Sequence, residues 1–353
     1  MRVVIAPDSL KGTATAADTA AAIRAGWLDE RPDDDVVSAP TADGGEGTID
    51  AFAAAVPDAV RVPVTVTGPA GTPVDTAWLR LPDGRAVVEL AATSGLPLLG
   101  GRLQPGTATS RGFGEAIAAA LDAGATGLVL GIGGSASTDG GRPVLEALGL
   151  TAHADGSVDR SHLRPLPAGG AVVLTDVTSP LLGPDGAVAV FGTQKGVTPE
   201  SAPALEERLA AWALALPDVD PTTPGAGAAG GVGFGLLAWG ASLDPGARAV
   251  ADVLGLPALL DSADVVVTGE GRYDDQSAAG KVPSVVRALA AERAPGARVL
   301  LVAGEVDAPL DGFDAAASLV VLATQTTGEP DDALREPLRF ARIAGQRLAR
   351  LTG

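Results

Sequence analysis

Cysteine is absent from the 353 residues, which removes disulfides and thiolate chemistry and leaves the redox compartment open. Long apolar runs are missing too. No stretch approaches the ~20 residues of a membrane span, and the chain opens on the strand-like Arg2-Val3-Val4-Ile5-Ala6 instead of a basic and apolar signal. A cytoplasmic protein with no membrane partner is expected. Positive charge is scarce: 25 Lys and Arg stand against 43 Asp and Glu, a formal net charge of −18, which opposes attraction to nucleic acid phosphates or anionic lipid. The expected partner is a small molecule and not a nucleic acid, and a homodimer is left open. An anionic substrate would need local cations to overcome this field, so Lys11, Lys195, Arg272 and Lys281 stand out. His153 and His162 lie in a polar stretch without metal-ligand or triad spacing and read as surface residues.

What is present is a globular composition, 46% hydrophobic and 19% charged, near the averages for folded domains. The length exceeds the ~250–300 residues at which one core usually stops growing, so two lobes are expected. Residues 3–6, the polar turn Asp8-Ser9-Leu10-Lys11-Gly12, a helical stretch near 15–29 and Val36-Val37 read as a βαβ beginning. A similar pattern returns at 265–267, with a helix near 281–293, a strand at 299–302, a further apolar run at 318–323 read as a strand, and a closing helix from about 331 to 350. Between these ends, 60–66, 74–81 and 86–90 read as a small antiparallel or mixed sheet, followed by helical stretches near 112–123, 140–148 and 202–215 and buried-strand candidates at 127–132 and 171–175. The expected fold is α/β with two α/β domains: a Rossmann-like parallel-sheet lobe from 1–59 and 263–353, and a second mixed-sheet α/β lobe, 60–262, inserted into it.

Several segments at strand ends could carry chemistry. Asp8-Ser9-Leu10-Lys11 follows the first strand, where open parallel sheets bind ligands; an ordinary turn with a Ser or Asp cap reads equally well. Asp43-Gly44-Gly45-Glu46-Gly47 could let the backbone approach a ligand while Asp43 and Glu46 hold Mg²⁺, or it could be a helix cap with Glu46 in the capping-box position. Gly131-Ile132-Gly133-Gly134-Ser135, after Leu128-Val129-Leu130, has the make-up of an anion-binding nest, or of a structural glycine turn. Gly225-Ala226-Gly227-Ala228-Ala229-Gly230 has dinucleotide-binding spacing but follows Pro221-Thr222-Thr223-Pro224 and not a strand, which argues against a nicotinamide cofactor. Nor is there a Walker A loop, since Val282 follows Gly280-Lys281. Asp176 with Gln194-Lys195, and Arg272-Tyr273-Asp274-Asp275-Gln276 with Lys281, each pair a carboxylate with nearby basic and amide groups, which suits a small hydroxy acid.

The strings Ala-Pro-Asp-Ser-x-Lys-Gly at 6–12, Ala-Asp-Gly-Gly-Glu-Gly-Thr at 42–48 and Gly-Ile-Gly-Gly-Ser-Ala at 131–136 resemble the bacterial glycerate kinases of the glycerate 2-kinase type. Asp-Val-Thr-x-Pro-Leu-Leu-Gly at 176–183, Gln-Lys-Gly at 194–196, Pro-Gly-Ala-Gly-Ala-Ala-Gly-Gly at 224–231 and Gly-Glu-Gly-Arg at 269–272 extend the resemblance in order along the chain. It implies two α/β domains, ATP and Mg²⁺, and conversion of glycerate to a phosphoglycerate, usually the 2-phosphate. Phosphoryl transfer asks mainly for positioning and charge stabilisation. Under the resemblance, Gly133, Gly134, Ser135, Gln194 and Lys195 are expected at the nucleotide phosphates. Asp8, Ser9, Lys11, Arg272, Gln276 and Lys281 are expected at glycerate or the transferring phosphate. Asp176 or Asp274 would orient or deprotonate the hydroxyl, and Asp43 and Asp176 would hold the metal. Thr175, Ser179, Tyr273 and Asp275 depart from the family's usual residues, the last two in the loop that carries Asp274 and Gln276.

Overall fold

The computed structural model describes residues 1–352 apart from 11, 275–276 and 278–280. In chain order its strands are β1 (Arg2–Pro7), β2 (Asp35–Ser38), β3 (Val60–Thr67), β4 (Pro73–Arg80), β5 (Arg85–Glu89), β6 (Gly127–Gly131), β7 (Thr151–Ala152), β8 (Val158–Asp159), β9 (Ala171–Leu174), β10 (Ser242–Asp244), β11 (Val265–Tyr273), β12 (Arg298–Val306) and β13 (Ala315–Ser318). Two compact units form. The first comprises Met1–Asp43, Asp50–Val56 and Pro245–Gly353, the second Gly44–Ile49 and Pro57–Asp244. Among the described residues no helix is long and apolar enough to cross a membrane.

In the first unit the strands lie in the order β13-β12-β11-β1-β2, every neighbouring pair parallel. The continuous apolar runs follow from burial of both faces. Val3, Ile5, Val265, Val267, Leu300 and Val302 share a core with Ile23, Trp27 and Phe340, while the intervening Val4, Ala6 and Val266 pack with Val286, Leu289 and Leu260. Helices therefore cover both sides. Numbered within this unit, the strands run 2-1-3-4-5 across the sheet, and the order reverses between β1 and β11. That is the topological switch point, outside whose carboxyl ends ligands bind in open α/β sheets.

One expectation needs correction here. The apolar run at 318–323 is not a strand: β13 ends at Ser318, and Leu319–Thr327 is a helix. Ser318 caps it, its hydroxyl accepting the Val321 amide, and Leu319, Leu322 and Ala323 fall on one buried face. A short apolar run has no decisive period of its own, and here the cap decides.

Helices Ala16–Glu30 and Pro337–Leu351 approach closely because each carries a glycine at the contact. A Cβ on Gly26 would lie 1.9 Å from the Arg342 carbonyl oxygen, and one on Gly345 would lie 2.2 Å from that of Ile23. Backbone cannot yield as a side chain does. Gly26→Ala is thus expected to destabilise the protein by about 1–3 kcal/mol, read as a lower thermal midpoint; an unchanged midpoint would mean that the helices are not packed this way.

The second unit is built on a sheet ordered β10-β9-β6-β5-β4-β3. β3, β4 and β5 form an antiparallel meander, and β5, β6, β9 and β10 run parallel. In the meander Val62, Val64 and Val66 alternate with polar residues, so one face turns to the core. Val88, Leu130 and Val173 share that core with Phe113 and Ile117 of helix Arg111–Asp122, Leu209 and Trp212 of helix Ala202–Ala215, and Phe234 and Leu236. The carboxyl ends of β5, β6 and β9 come level, since Glu89 pairs with Gly131 and Gly131 with Leu174.

Candidate active site

At the switch point of the first unit, Pro7 is in register with Gly269, and the Asp8 amide donates to the Gly269 carbonyl at 2.8 Å. The loop after β1 is thereby tied to the middle of β11. Asp8 is 2% exposed and accepts the Ser9 amide at 2.7 Å. Ser9 is 5% exposed, and its hydroxyl is buried without a partner among the described residues. Lys11, the next ionisable residue, lies outside the described residues. So does Gln276.

β11 carries Glu270 and Arg272, and its end leads to Asp274. With Leu10, Thr13 and Lys281 these residues line a cavity of about 520 Å³. Arg272 pairs with Asp307 and lies 3.9 Å from Glu305, both beside β11 on β12 and its continuation, and the hydrogen bond to Asp307 raises its pKa further. Asp274 accepts the Ser277 amide at 3.2 Å and stands 3.9 Å from the Lys281 ammonium. Lys281 itself is the N-cap of helix Val282–Arg293. Asp8, Ser9, Arg272, Asp274 and Lys281 are thus gathered on loops and strand ends of one unit. Sequence reading missed two neighbours: Glu270, 3% exposed, and Thr41, 1% exposed. The Thr41 amide donates to the Pro7 carbonyl at 3.0 Å while its hydroxyl is buried without a partner among the described residues. Nothing in local spacing singles either out; only strand register does.

In the second unit the glycine loop after β6 folds against Gly44 and Gly45. The Gly133 amide donates to the Gly44 carbonyl at 3.1 Å, and a Cβ on Gly133 would lie 2.5 Å from Gly45 Cα. Gly133 is therefore needed for backbone packing whatever else the loop does. Gly134 differs: its φ of 73° is left-handed, and a Cβ there would meet only Ala91, at 3.3 Å. The Ser135 hydroxyl donates to the Ala229 carbonyl at 3.1 Å. The start of helix Thr48–Ala55 is capped by Glu89, which accepts the Gly47 and Ile49 amides at 3.2 and 3.0 Å. That carboxylate lies about 40 residues away in sequence, beyond the reach of a capping-box reading. Asp176 follows β9 by two residues, its carboxylate oxygens shielded from solvent. Asp43 belongs to the first unit and Asp176 to the second.

Gln194 is exposed, whereas Lys195 is only 3% exposed. The Lys195 ammonium donates to the Ser137 carbonyl at 2.6 Å. Burial pushes its pKa down from 10.5 to about 8, against the opposing charge of Asp139. Asp139, which sequence reading passed over, accepts the Ser110 amide at 2.7 Å, the Ser110 hydroxyl at 3.0 Å and the Gly141 amide at 3.0 Å. Burial raises its pKa despite these donors. The sign for Lys195 is definite. Below pH 8 both folded and unfolded chains hold its proton; between 8 and 10.5 the unfolded chain binds more, so its contribution to stability rises with pH. The thermal midpoint of the wild type is expected to gain on that of Lys195→Met between pH 8 and pH 10, and a constant difference would show that the lysine is not buried as a cation.

The same two glycines after β6 offer a test of their separate roles. Gly133→Val is expected to prevent folding of the second unit, because the clash is with backbone. Gly134→Val costs roughly the 1–2 kcal/mol of a left-handed β-substituted residue and is expected to leave a folded chain; were the loop to hold the phosphates of ATP, that chain would no longer bind it. Titration of ATP into the Gly134 variant checks this, and unchanged affinity would place the phosphate site elsewhere.

The Glycerate kinase family model matches residues 3–353. The glycerate 2-kinase of Escherichia coli (strain K12) is 42% identical over 306 residues, covering 80% of each chain, and the glycerate kinase of Bacillus subtilis (strain 168) is 40% identical over 311 residues, again 80% of each. A crystal structure from Salmonella typhimurium LT2, named as a glycerate kinase 2, superposes with a TM-score of 0.81 at 38% identity and covers 100% of this chain and 98% of that one.

Proposed function

The chain belongs to the glycerate kinase family, and from that premise we propose that it transfers the γ-phosphoryl group of ATP, with Mg²⁺, to the 2-hydroxyl of glycerate. The observation that carries this reading is the Asp8–Gly269 hydrogen bond, because it sets Asp8 and Ser9 beside β11 at a switch point. Glycerate has one carboxylate and two hydroxyls, and the first unit offers a matching set. Arg272 can take the carboxylate through its fork of donors. The Ser9 hydroxyl, without a partner among the described residues, can donate to or accept from a substrate hydroxyl, and Asp274 is the carboxylate assigned to orient and deprotonate the attacking one. The Lys281 ammonium stands 3.9 Å from the Asp274 carboxylate. Lys11 and Gln276 complete the acid and transferring-phosphate contacts in this assignment.

The second unit receives the nucleotide phosphates at the amides of Gly134 and Ser135, with Gly133 holding the loop in place. Among the described residues no three His, Cys, Asp or Glu side chains converge as a metal cage. Mg²⁺ does not need one, since it commonly binds through one or two carboxylates plus substrate phosphates, and Asp176 is the carboxylate of the second unit assigned to it. When bound, it screens charge on the phosphates.

Glycerate-dependent release of ADP tests the reading. Turnover with glycerate above that with lactate or tartrate is expected; turnover with another hydroxy acid alone, or nucleotide binding without turnover, would overturn it.

A further inference from the structure

We propose that Lys195 is a positioning residue for the phosphate loop, acting through the Ser137 carbonyl and the left-handed turn Ala229–Gly231 without touching the nucleotide. This rests on the assignment of Gly134 and Ser135 to phosphate binding. The loop from Ser135 to Gly141 is anchored along its length, by the Gly140 amide on the Gly230 carbonyl and the Trp212 indole on the Gly140 carbonyl, both at 3.0 Å, and by further side chains. Lys195 donates to the Ser137 carbonyl at 2.6 Å, and Arg208 to the Thr138 carbonyl at 2.8 Å. Asp139 takes the Ser110 amide and hydroxyl, and Ser135 reaches the Ala229 carbonyl.

The turn that receives Ser135 is unusual. Ala229, Gly230 and Gly231 have φ values of 55°, 70° and 90°, and Ala229 pays for this with a strained conformation that persists only where surroundings enforce it. The enforcement is visible. A Cβ on Gly230 would lie 2.1 Å from the Ser137 carbonyl oxygen and 2.9 Å from the Lys195 ammonium. Ser137, Gly230 and the lysine end thus meet in one closed spot. A phosphate oxygen could contact the ammonium only if this packing opened, yet without the lysine the buried Ser137 carbonyl loses its short donor and keeps only the Ser135 hydroxyl at 3.4 Å, so the loop's middle is held less firmly. Burying an ammonium is costly, and this is what it holds in place.

Positioning and direct contact respond differently to loss of charge. A neutral amine still donates to a carbonyl, but it no longer attracts a phosphate. Asp139 on the same loop and Arg208 from helix Ala202–Ala215 are the charged groups at this spot; the segments 187–194 and 225–231 carry none. The experiment is ATP affinity, measured directly by calorimetry from pH 7 to pH 9.2, on the wild type, Lys195→Met and Lys195→Arg. The wild type is expected to hold its affinity within threefold across the range in which the lysine loses its proton. Lys195→Met should bind at least tenfold more weakly at pH 7 with the KM for glycerate unchanged. The bulkier arginine should not restore affinity, because Gly230 leaves no room. A wild-type affinity that falls tenfold or more towards pH 9.2, or recovery in Lys195→Arg, would establish direct phosphate contact and overturn the proposal, as would unaltered affinity in Lys195→Met. The wild-type arm needs no variant, so a tenfold fall towards pH 9.2 overturns the proposal even if Lys195→Met does not fold. ATP affinity that does not respond to Gly134→Val would instead remove the assignment of the loop itself.

Discussion

Asp176→Asn is expected to lower kcat by on the order of 10²–10⁴ while the chain stays folded. The residue stands two positions past β9, at the carboxyl edge of the second unit's sheet, with both oxygens shielded from solvent. A carboxylate at such a place is worth most when it acts on charge, either a divalent cation or a proton in transfer, and losses of that size are typical for either role. The amide keeps the shape and removes the charge, so packing is nearly conserved. The two roles part in the metal dependence. If Asp176 holds Mg²⁺, the concentration for half-maximal activity should rise in the variant along with the loss of rate. Steady-state kinetics over a Mg²⁺ series checks this, and a near-native kcat would remove Asp176 from the reaction.

Lysine occurs in the chain only at Lys11, Lys195 and Lys281, so in a protein of formal charge −18 each is a separate experiment. Lys11→Ala is expected to reduce turnover by about 10²–10³, the usual loss when a charge-stabilising group leaves a water-excluded site. In sequence it follows Leu10 and the buried Asp8 and Ser9, and the Asp8 amide is tied to Gly269. Lys281 has other work, pairing with Asp274 at 3.9 Å and starting helix Val282–Arg293. Its replacement by Ala is expected to cost less and to appear mainly in the KM for glycerate. Near-native turnover in Lys11→Ala would exclude the loop after β1 from the chemistry.

Much of the fold was legible because burial on two faces leaves a strong trace. Val3 to Ala6 and Val265 to Val267 are apolar without alternation, as strands covered by helices on both sides must be, and they pair with one another in the sheet. Val62, Val64 and Val66 alternate because their strand is covered on one. Where the trace is short it misleads. Leu319 to Leu322 has the residues of a strand, and only the Ser318 cap makes it a helix. The site was legible to the extent that its residues follow strands. Asp8, Gly133 and Asp176 do, and their positions could be read from chain order alone. Glu89, Asp139, Glu270 and Thr41 could not. Three of them take their meaning from a partner supplied by register or by distant chain: Glu89 from amides about 40 residues earlier, Asp139 from Ser110, Thr41 from Pro7. Glycine strings carry a further ambiguity. Gly133 and Gly134 are adjacent and look alike in sequence, yet one is filled by backbone and the other open apart from Ala91.

Phosphorus NMR on a reaction of the purified protein with ATP, Mg²⁺ and glycerate tests the central claim most directly. The account predicts a new phosphomonoester signal that requires glycerate and is split into a doublet by the single proton on the carbon bearing the 2-phosphate. A triplet, from the two protons next to a 3-phosphate, would contradict the assigned hydroxyl, and the absence of any glycerate-dependent phosphomonoester would contradict the reaction itself.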